Sequence, residues 1–232
     1  MEDCEVRTAD LELSTLLAIE PGMTAIIGGG GKTTLMYTLA EELKSSGTVL
    51  ICTTTGILRP LFIPVLTGAH MAELSDEFNR SPVVCAGTDA GDGKLKAPSL
   101  PVESLSQVAR FVLVEADGSR GLPMKAHSAC EPVIPAGASQ TILVIGASGF
   151  GRTIRETAHR PELYARLAYA EEDAIITPEL VARVALGENL HHRVFISQVD
   201  SAHSLAVAKE LMQLLRCPVC AGSLHKKQYF QL

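Results

Sequence analysis

Gly28-Gly29-Gly30-Gly31-Lys32-Thr33-Thr34 is the stretch that decides the fold, because it joins an apolar segment to a helix-like one. The apolar segment is 23–27 and the helix-like segment is 35–43. Four glycines let consecutive backbone N–H groups converge on an anion without interference from Cβ atoms. The helix start adds the positive end of its dipole, and the lysine adds an ammonium group. The stretch therefore predicts a strand, a phosphate-binding loop and a helix.

The loop is shorter than the Walker A pattern Gly-x4-Gly-Lys-[Ser/Thr], whose first glycine would fall at Ile26. Its spacing resembles the compact phosphate loop of the Mur-ligase-like ATPases, and the doubled threonine resembles that of the dimer-forming ATPases. In such a loop Lys32 neutralises terminal phosphates, and Thr33 places its hydroxyl on Mg²⁺. The alternative is a glycine-rich turn, but turn chemistry alone does not require Lys-Thr-Thr at a helix start. We predict that residues 28–34 bind the nucleotide.

The composition is that of an ordinary globular protein. The chain has 232 residues, of which 47% are hydrophobic, which is ample for a packed core. Its 20 lysines and arginines against 26 acidic residues give a formal net charge of −6. This balance argues against a nucleic-acid partner.

Two further stretches bear on localisation. Residues 1–5 are acidic, whereas a secretory signal begins with positive charge followed by an apolar run. The charge-free stretch 132–151 is interrupted by glycines and prolines, so we interpret it as loop, buried strand and loop rather than a membrane span. We expect a cytoplasmic protein without a membrane partner. Its oligomeric state is left open.

Apolar strands alternate with helices along the chain, which predicts an α/β fold with a mainly parallel sheet, similar to the P-loop NTPases, flanked by helices on both faces. The alternation becomes irregular between residues 56 and 98. We therefore predict a single domain, 1–232, with a small β-containing insertion at 56–98. Other expected elements are helices at 10–18 and 102–110, and strands at 48–52, 111–115, 139–145, 193–197 and 217–221.

Polar residues follow two of these strands. Three threonines, among them Thr54, end the strand at 48–52, and Glu115 and Asp117 end the strand at 111–115. Open α/β sheets bind ligands at the carboxyl ends of their strands. Apolar residues followed by an acid form a Walker B arrangement, whose carboxylate orients Mg²⁺ and its waters. We predict that Thr54 contacts the ligand, that Thr33, Glu115 and Asp117 hold the metal, and that Lys32 and the two acids are catalytic.

A long connection follows at 121–137, punctuated by prolines and glycines and containing Lys125, His127 and Glu131. We predict no helix or strand within it. A loop of that length is usually functional or mobile.

Taken together, these motifs resemble the YqeC family, whose members are described as accessory proteins of selenium-dependent molybdenum hydroxylases. The resemblance covers nearly the whole chain and is carried by residues 28–34, 53–55, 114–119, 125, 131–135, 159–162 and 198–200. It implies a P-loop nucleotide-binding protein that acts in maturation of a selenium- and molybdenum-containing cofactor. A molybdenum hydroxylase or a cofactor-transfer protein is then the expected protein partner.

The same resemblance prompts comparison of residues 197–200 with the guanine-reading Asn-Lys-x-Asp motif of GTPases. Only Asp200 is in register, because serine and glutamine replace the asparagine and lysine. We predict that Asp200 lines the base pocket and that ATP is slightly favoured over GTP. Three functions remain open: a triphosphate-hydrolysing enzyme acting on a small cofactor, a Mur-ligase-like ATP-dependent ligase, and a nucleotide-switched chaperone.

Overall fold

The computed structural model describes residues 11–232. Its helices are α1 (Leu13–Leu16), α2 (Lys32–Leu43), α3 (Met71–Phe78), α4 (Ile154–Thr157), α5 (Pro161–Ala168), α6 (Pro178–Glu188) and α7 (Ala202–Leu214). Its strands are β1 (Gly22–Gly28), β2 (Val49–Thr53), β3 (Ile57–Leu58), β4 (Val65–Thr67), β5 (Val83–Gly91), β6 (Lys94–Lys96), β7 (Phe111–Glu115), β8 (Met124–Lys125), β9 (Ala138–Gly146), β10 (Ala158–His159), β11 (Arg193–Ser197), β12 (Val219–Ser223) and β13 (Gln228–Gln231).

Within residues 11–232, eleven strands form the central sheet, in the order β13-β12-β11-β9-β1-β7-β2-β5-β6-β3, with β4 also paired to β5. All pairs from β12 to β5 are parallel, and so is β4 with β5, whereas β13, β6 and β3 pair antiparallel to their neighbours. This confirms the predicted α/β class and the mainly parallel sheet. The order also places β1, which ends at the glycine loop, directly beside β7, which ends at Glu115.

Helices cover both faces of the sheet, as the continuous apolar strands predict. Along β1, Ala25 and Ile27 belong to the apolar cluster that includes α6 and α7. Ile26, which points to the other face, belongs to the cluster that includes Leu35 and Leu39 of α2. Side chains alternate between the faces of a strand, so neighbouring residues reach opposite layers.

The structure differs from the sequence-based expectations in several connections. The helix expected at 102–110 is a 3-10 helix, Val102–Gln107. The connection 121–137 is not free of regular structure, because β8 pairs with β10 in a separate two-stranded sheet. A final strand, β13, closes one edge of the main sheet and was not predicted. The helix expected at 10–18 is the short α1, and Asp10 lies outside the described residues.

None of the helices between residues 11 and 232 has the length and apolar character that crossing a membrane requires.

Candidate functional site

The glycine loop takes a backbone path that other residues would resist. Gly28, Gly30 and Gly31 have positive φ angles of 98°, 82° and 111°. A Cβ at Gly28 would lie 2.3 Å from the carbonyl oxygen of Val144, and one at Gly30 would lie 2.4 Å from Cα of Gly146. These contacts involve backbone atoms that a rotamer change does not move. The loop therefore needs glycine both for its conformation and for its close packing on β9.

Backbone amides in this loop divide into two groups. The N–H of Gly29 donates to Val144, and that of Gly30 donates to Leu122, over 2.9 and 3.0 Å. The next amides, at residues 31–33, have no acceptor within the described part of the chain. They lie at the start of α2, where the first N–H groups of a helix have no intrahelical partner. Such a group of donors at a helix N-terminus suits an oxyanion.

Lys32 lies beneath the glycine loop. Its Nζ donates to the carbonyl oxygen of Gly28 over 2.7 Å and lies 3.1 Å from Oδ1 of Asp117. Oε1 of Glu115 is 3.9 Å from the same nitrogen. The side chain is buried, so the ammonium group is held between the loop and the two acids that follow the neighbouring strand.

Thr33, in the first turn of α2, meets Glu115, the last residue of β7. The hydroxyl of Thr33 donates to Oε2 of Glu115 over 2.7 Å. Burial raises the pKa of Glu115, and this effect outweighs the opposing influence of the Lys32 charge and the Thr33 hydrogen bond. Mg²⁺ takes oxygen ligands, usually one or two from protein, with water and phosphate completing its shell. The donor set formed by this hydroxyl and carboxylate fits that requirement.

Asp117 is fully buried behind the loop. Its Oδ2 accepts the N–H of Gly28 over 2.8 Å and lies 2.6 Å from Nε2 of His127. Its Oδ1 lies beside the Lys32 ammonium but accepts no hydrogen bond within residues 11–232. Burial opposes ionisation, yet the His127 hydrogen bond and the charges of Lys32 and Lys125 outweigh it and hold the pKa of Asp117 well below its usual range. The carboxylate is therefore ionised and fixed in place.

His127 and Glu188 are functional candidates to which the sequence assigned no role. Nδ1 of His127 lies 2.7 Å from Oε2 of Glu188, and the backbone N–H of His127 donates to Oε1 over 2.6 Å. Burial lowers the pKa of His127, but its hydrogen bonds to Asp117 and Glu188 outweigh this and raise it. The sequence places His127 in the long connection 121–137 but assigns it no function. Nothing local in the sequence marks Glu188, which is the last residue of α6.

Thr54 and Asp200 follow two other strands of the sheet. The backbone N–H of Thr54 donates to the carbonyl oxygen of Glu115 over 3.1 Å, so Thr54 lies next to this cluster. The Thr54 hydroxyl donates to the carbonyl oxygen of Val133 over 2.8 Å, and so holds the long loop against the end of β2. Asp200 follows β11, where its carboxylate accepts a hydrogen bond from Ser223. Its backbone carbonyl accepts from Nζ of Lys226 over 2.8 Å. Thr34 is exposed, and its carbonyl oxygen accepts the Thr38 hydroxyl.

The predicted site residues thus fall into two groups. Residues 28–33, Glu115 and Asp117 converge at the carboxyl ends of β1 and β7. Asp200 lies at the carboxyl end of β11, on the same edge of the sheet but two strands away from β1.

Comparison with known proteins identifies the family. A family model described as YqeC protein matches residues 24–162, which is more than half of the chain. An uncharacterized protein named YqeC from Escherichia coli (strain K12) is 32% identical over 213 residues, covering 84% of this chain and 83% of that protein. The matched region includes the glycine loop, Glu115, Asp117 and His127. The chain belongs to the YqeC family.

Proposed function

We propose that this chain is a P-loop protein that binds a nucleoside triphosphate with Mg²⁺ and hydrolyses it. The observation that carries the proposal is the hydrogen bond from Thr33 to Glu115, formed beside the buried ammonium of Lys32. A hydroxyl at a helix start, a carboxylate at the end of the adjacent parallel strand and a lysine under a glycine loop are the parts that triphosphate binding requires. A glycine-rich turn alone requires none of them.

Each residue has a distinct role in this proposal. The free amides of residues 31–33 and the Lys32 ammonium bind phosphate oxygens. Thr33 and Glu115 hold Mg²⁺, which would neutralise charge on the transferred phosphoryl group. Asp117 is already paired with Gly28 and His127, so we give it the role of fixing the loop and Lys32. This narrows the sequence-based prediction, in which both acids shared the metal.

For the base, we retain Asp200 as the proposed contact and ATP as the slightly favoured nucleotide. The support is positional, because Asp200 follows a strand of the ligand-binding edge. Its carboxylate is held by Ser223 from the neighbouring strand β12. This contact holds the Asp200 side chain against the last residue of β12.

The biological setting that we propose is maturation of the cofactor of a selenium-dependent molybdenum hydroxylase. It rests on the family resemblance stated above. The test is a nucleotide panel on the purified protein, with and without molybdopterin and reduced selenium, followed by phosphate release and mass spectrometry. We expect hydrolysis of ATP, of GTP or of both, and a new product that needs the full mixture. If no triphosphate is hydrolysed under any condition, the enzymatic proposal is wrong.

A second candidate, the nucleotide-switched chaperone, is favoured by two backbone hydrogen bonds. The carbonyl oxygen of Leu122 accepts the N–H of Gly30, and that of Pro123 accepts the N–H of Gly146. A phosphate that took the Gly30 amide would displace the segment that follows Asp117, and a partner could recognise that change. Hydrolysis without any new small-molecule product, together with triphosphate-dependent binding of a hydroxylase, would favour the chaperone.

A further inference from the structure

A cluster of basic side chains lies beside the proposed nucleotide site, and the proposed function gives it no contact with the nucleotide. Lys125 on β8 and His159 on β10 are direct neighbours in the two-stranded parallel sheet. Side chains of register partners project from the same face of a sheet. Arg160 follows His159 as the residue before α5. Three basic residues, two from strands and one from the start of a helix, are therefore close together.

One carboxylate joins the two permanent charges of this cluster. Oε2 of Glu131 lies 2.7 Å from Nζ of Lys125 and 3.0 Å from Nη1 of Arg160. The Lys125 side chain is completely buried, whereas 30% of the Arg160 side chain is exposed. Lys125 therefore forms the floor of the cluster, and Arg160 lies where a ligand can arrive from solvent.

The free hydrogen-bonding groups of the cluster belong to Arg160 and His159, because the ammonium group of Lys125 already contacts Glu131, Asp117 and the carbonyl oxygen of Gly118. A guanidinium group has five N–H donors, and within residues 11–232 that of Arg160 contacts only Glu131. Nδ1 of His159 is buried and has no hydrogen-bond partner in that same part of the chain. Burial lowers the pKa of His159, and the charges of Lys125, Arg160 and Arg120 lower it further, while Glu131 alone opposes them. The surroundings of His159 are therefore net positive.

The cluster adjoins the phosphate loop through one shared carboxylate. Nζ of Lys125 lies 3.3 Å from Oδ2 of Asp117, and Nζ of Lys32 lies 3.1 Å from Oδ1 of the same residue. A continuous series of charge contacts therefore connects Arg160, through Glu131, Lys125 and Asp117, with Lys32. The long loop that supplies Glu131 is also attached to the sheet here, since the N–H of Val133 donates to the carbonyl oxygen of Ala116.

We propose that Arg160, His159 and Lys125 form a second binding site, which takes the phosphate or carboxylate group of a small-molecule substrate. The planar fork of Arg160 suits two oxygens of such a group, and Lys125 supplies a buried point charge. Glu131 is the counterion that holds these cations in place when the substrate is absent. The role of the site in a reaction rests on the proposed nucleotide function, but anion binding by itself does not.

The test uses orthophosphate and acetate as separate probes, titrated by calorimetry into protein saturated with Mg²⁺ and a non-hydrolysable ATP analogue. Arg160 has φ 65° and ψ 66°, a left-handed conformation that asparagine tolerates. Arg160→Asn therefore removes the charge and retains the backbone. We expect this variant to weaken binding of the preferred probe at least about tenfold. The matched control is Arg166→Asn, which changes an arginine of the same helix outside the cluster and should bind like the wild type.

Imidazole NMR of His159, assigned with His159→Gln, locates the bound anion. Because burial and the surrounding cations lower the pKa of His159, a bound anion should raise this pKa in the wild type and not in Arg160→Asn. Preference for phosphate or for acetate identifies the group that the substrate carries. If neither probe binds, or if Arg160→Asn binds both as the wild type does, the proposal is overturned.

Failure of the nucleotide function gives a different result. If the ATP analogue does not bind, the same titrations are run on ligand-free Lys32→Ala, where the phosphate loop lacks its ammonium group. Anion binding that still depends on Arg160 would then support this second site. The missing binding of the ATP analogue would separately contradict the proposed nucleotide function.

Discussion

Nε2 of His127 lies 2.6 Å from Oδ2 of Asp117, the same oxygen that accepts the N–H of Gly28. A histidine from the long loop thus contacts the carboxylate that fixes the glycine loop. On its other side His127 is held by Glu188, at the end of α6. These contacts form a buried chain of polar groups from a covering helix to the first glycine of the loop. A low local dielectric strengthens such a chain and makes the loss of one member costly.

The first prediction concerns the stability contributed by His127. His127→Ala removes hydrogen bonds to two carboxylates and leaves both partly unpaired inside the protein. Hydrogen bonds to charged groups are worth about 1.5–3 kcal/mol each, so we expect the free energy of unfolding to fall by about 3–6 kcal/mol in a urea titration. His203→Ala, at an exposed position of α7, should change it by less than about 0.5 kcal/mol. Equal stability of the two variants would contradict a structural role for the buried chain.

The second prediction is the pH dependence of that contribution. The folded-state pKa of His127 is raised above its ordinary value of 6.5. The stability that it adds is therefore fully present below the unfolded pKa and is lost as the pH rises through the folded one. We expect the difference in unfolding free energy between wild type and His127→Gln to be largest near pH ~6 and to decline above pH ~7. A difference that stays constant or grows with pH would show that this histidine is not charged in the folded protein.

The third prediction separates the two acids by their metal dependence. Glu115 contacts Thr33 and is the proposed metal ligand, so Glu115→Gln should raise the Mg²⁺ concentration needed for triphosphate binding about tenfold. Asp117→Asn keeps the shape of the side chain but weakens its contacts with Gly28 and Lys32. We expect it to lower the melting temperature and to leave the Mg²⁺ midpoint nearly unchanged. The check is a Mg²⁺ titration of nucleotide binding for each variant, and an equal shift in both would reject this division of roles.

The fourth prediction concerns the glycine loop. A methyl group at Gly30 would meet Cα and N of Gly146 at 2.4 and 2.5 Å, in a backbone conformation with φ of 82°. Gly30→Ala should therefore destabilise the fold and abolish triphosphate binding. Gly187 lies in α6 with open space around its Cα, so Gly187→Ala should raise the unfolding free energy by about 0.4–1 kcal/mol. If Gly30→Ala binds nucleotide normally, the loop does not need its tight packing on β9.

The fifth prediction concerns base choice. If Asp200 contacts the base, Asp200→Asn should change the ratio of ATP to GTP affinity, with the wild type slightly favouring ATP. Competition binding with both nucleotides measures this ratio directly. A clear wild-type preference for GTP that Asp200→Asn removes would reverse the choice of ATP and restore the GTPase analogy.

Local patterns predicted the part of the site that depends on neighbours in sequence. The glycine loop and Lys32 are contiguous, and Glu115 ends an apolar run that predicts a buried strand. Because parallel strands end at the same edge of a sheet, the fold class alone predicts that the glycine loop and Glu115 lie close together. The hydrogen bond between Thr33 and Glu115 joins residues 82 positions apart. The pairing of β1 with β7 brings them together, because Thr33 lies only five residues after the end of β1.

Other parts of the site could not be predicted from the sequence, because they depend on tertiary packing. Glu188 is 61 positions from His127, at the end of a helix whose docking no local pattern specifies. The β8–β10 pair has two residues in each strand, too few to show an alternating pattern. Both features lie around the long loop, whose sequence carries prolines and glycines but no periodicity. The cluster of Lys125, Glu131 and Arg160 also joins separate segments of the chain, so only the folded structure brings these residues together.

The most direct measurement of the central claim is calorimetric titration of Mg·ATP and Mg·GTP into the wild type, Lys32→Ala and Lys44→Ala. Lys32 is buried under the glycine loop, whereas Lys44 follows the same helix and is exposed. We predict saturable binding of at least one triphosphate by the wild type and by Lys44→Ala, and roughly tenfold to hundredfold weaker binding by Lys32→Ala. Because Lys32→Ala removes a counterion from two buried carboxylates, it should also lower the melting temperature, so the titrations are run at a temperature at which circular dichroism shows all three proteins folded. Equal affinity of all three proteins, or no binding by the wild type, would contradict the assignment of residues 28–34 as a phosphate-binding loop.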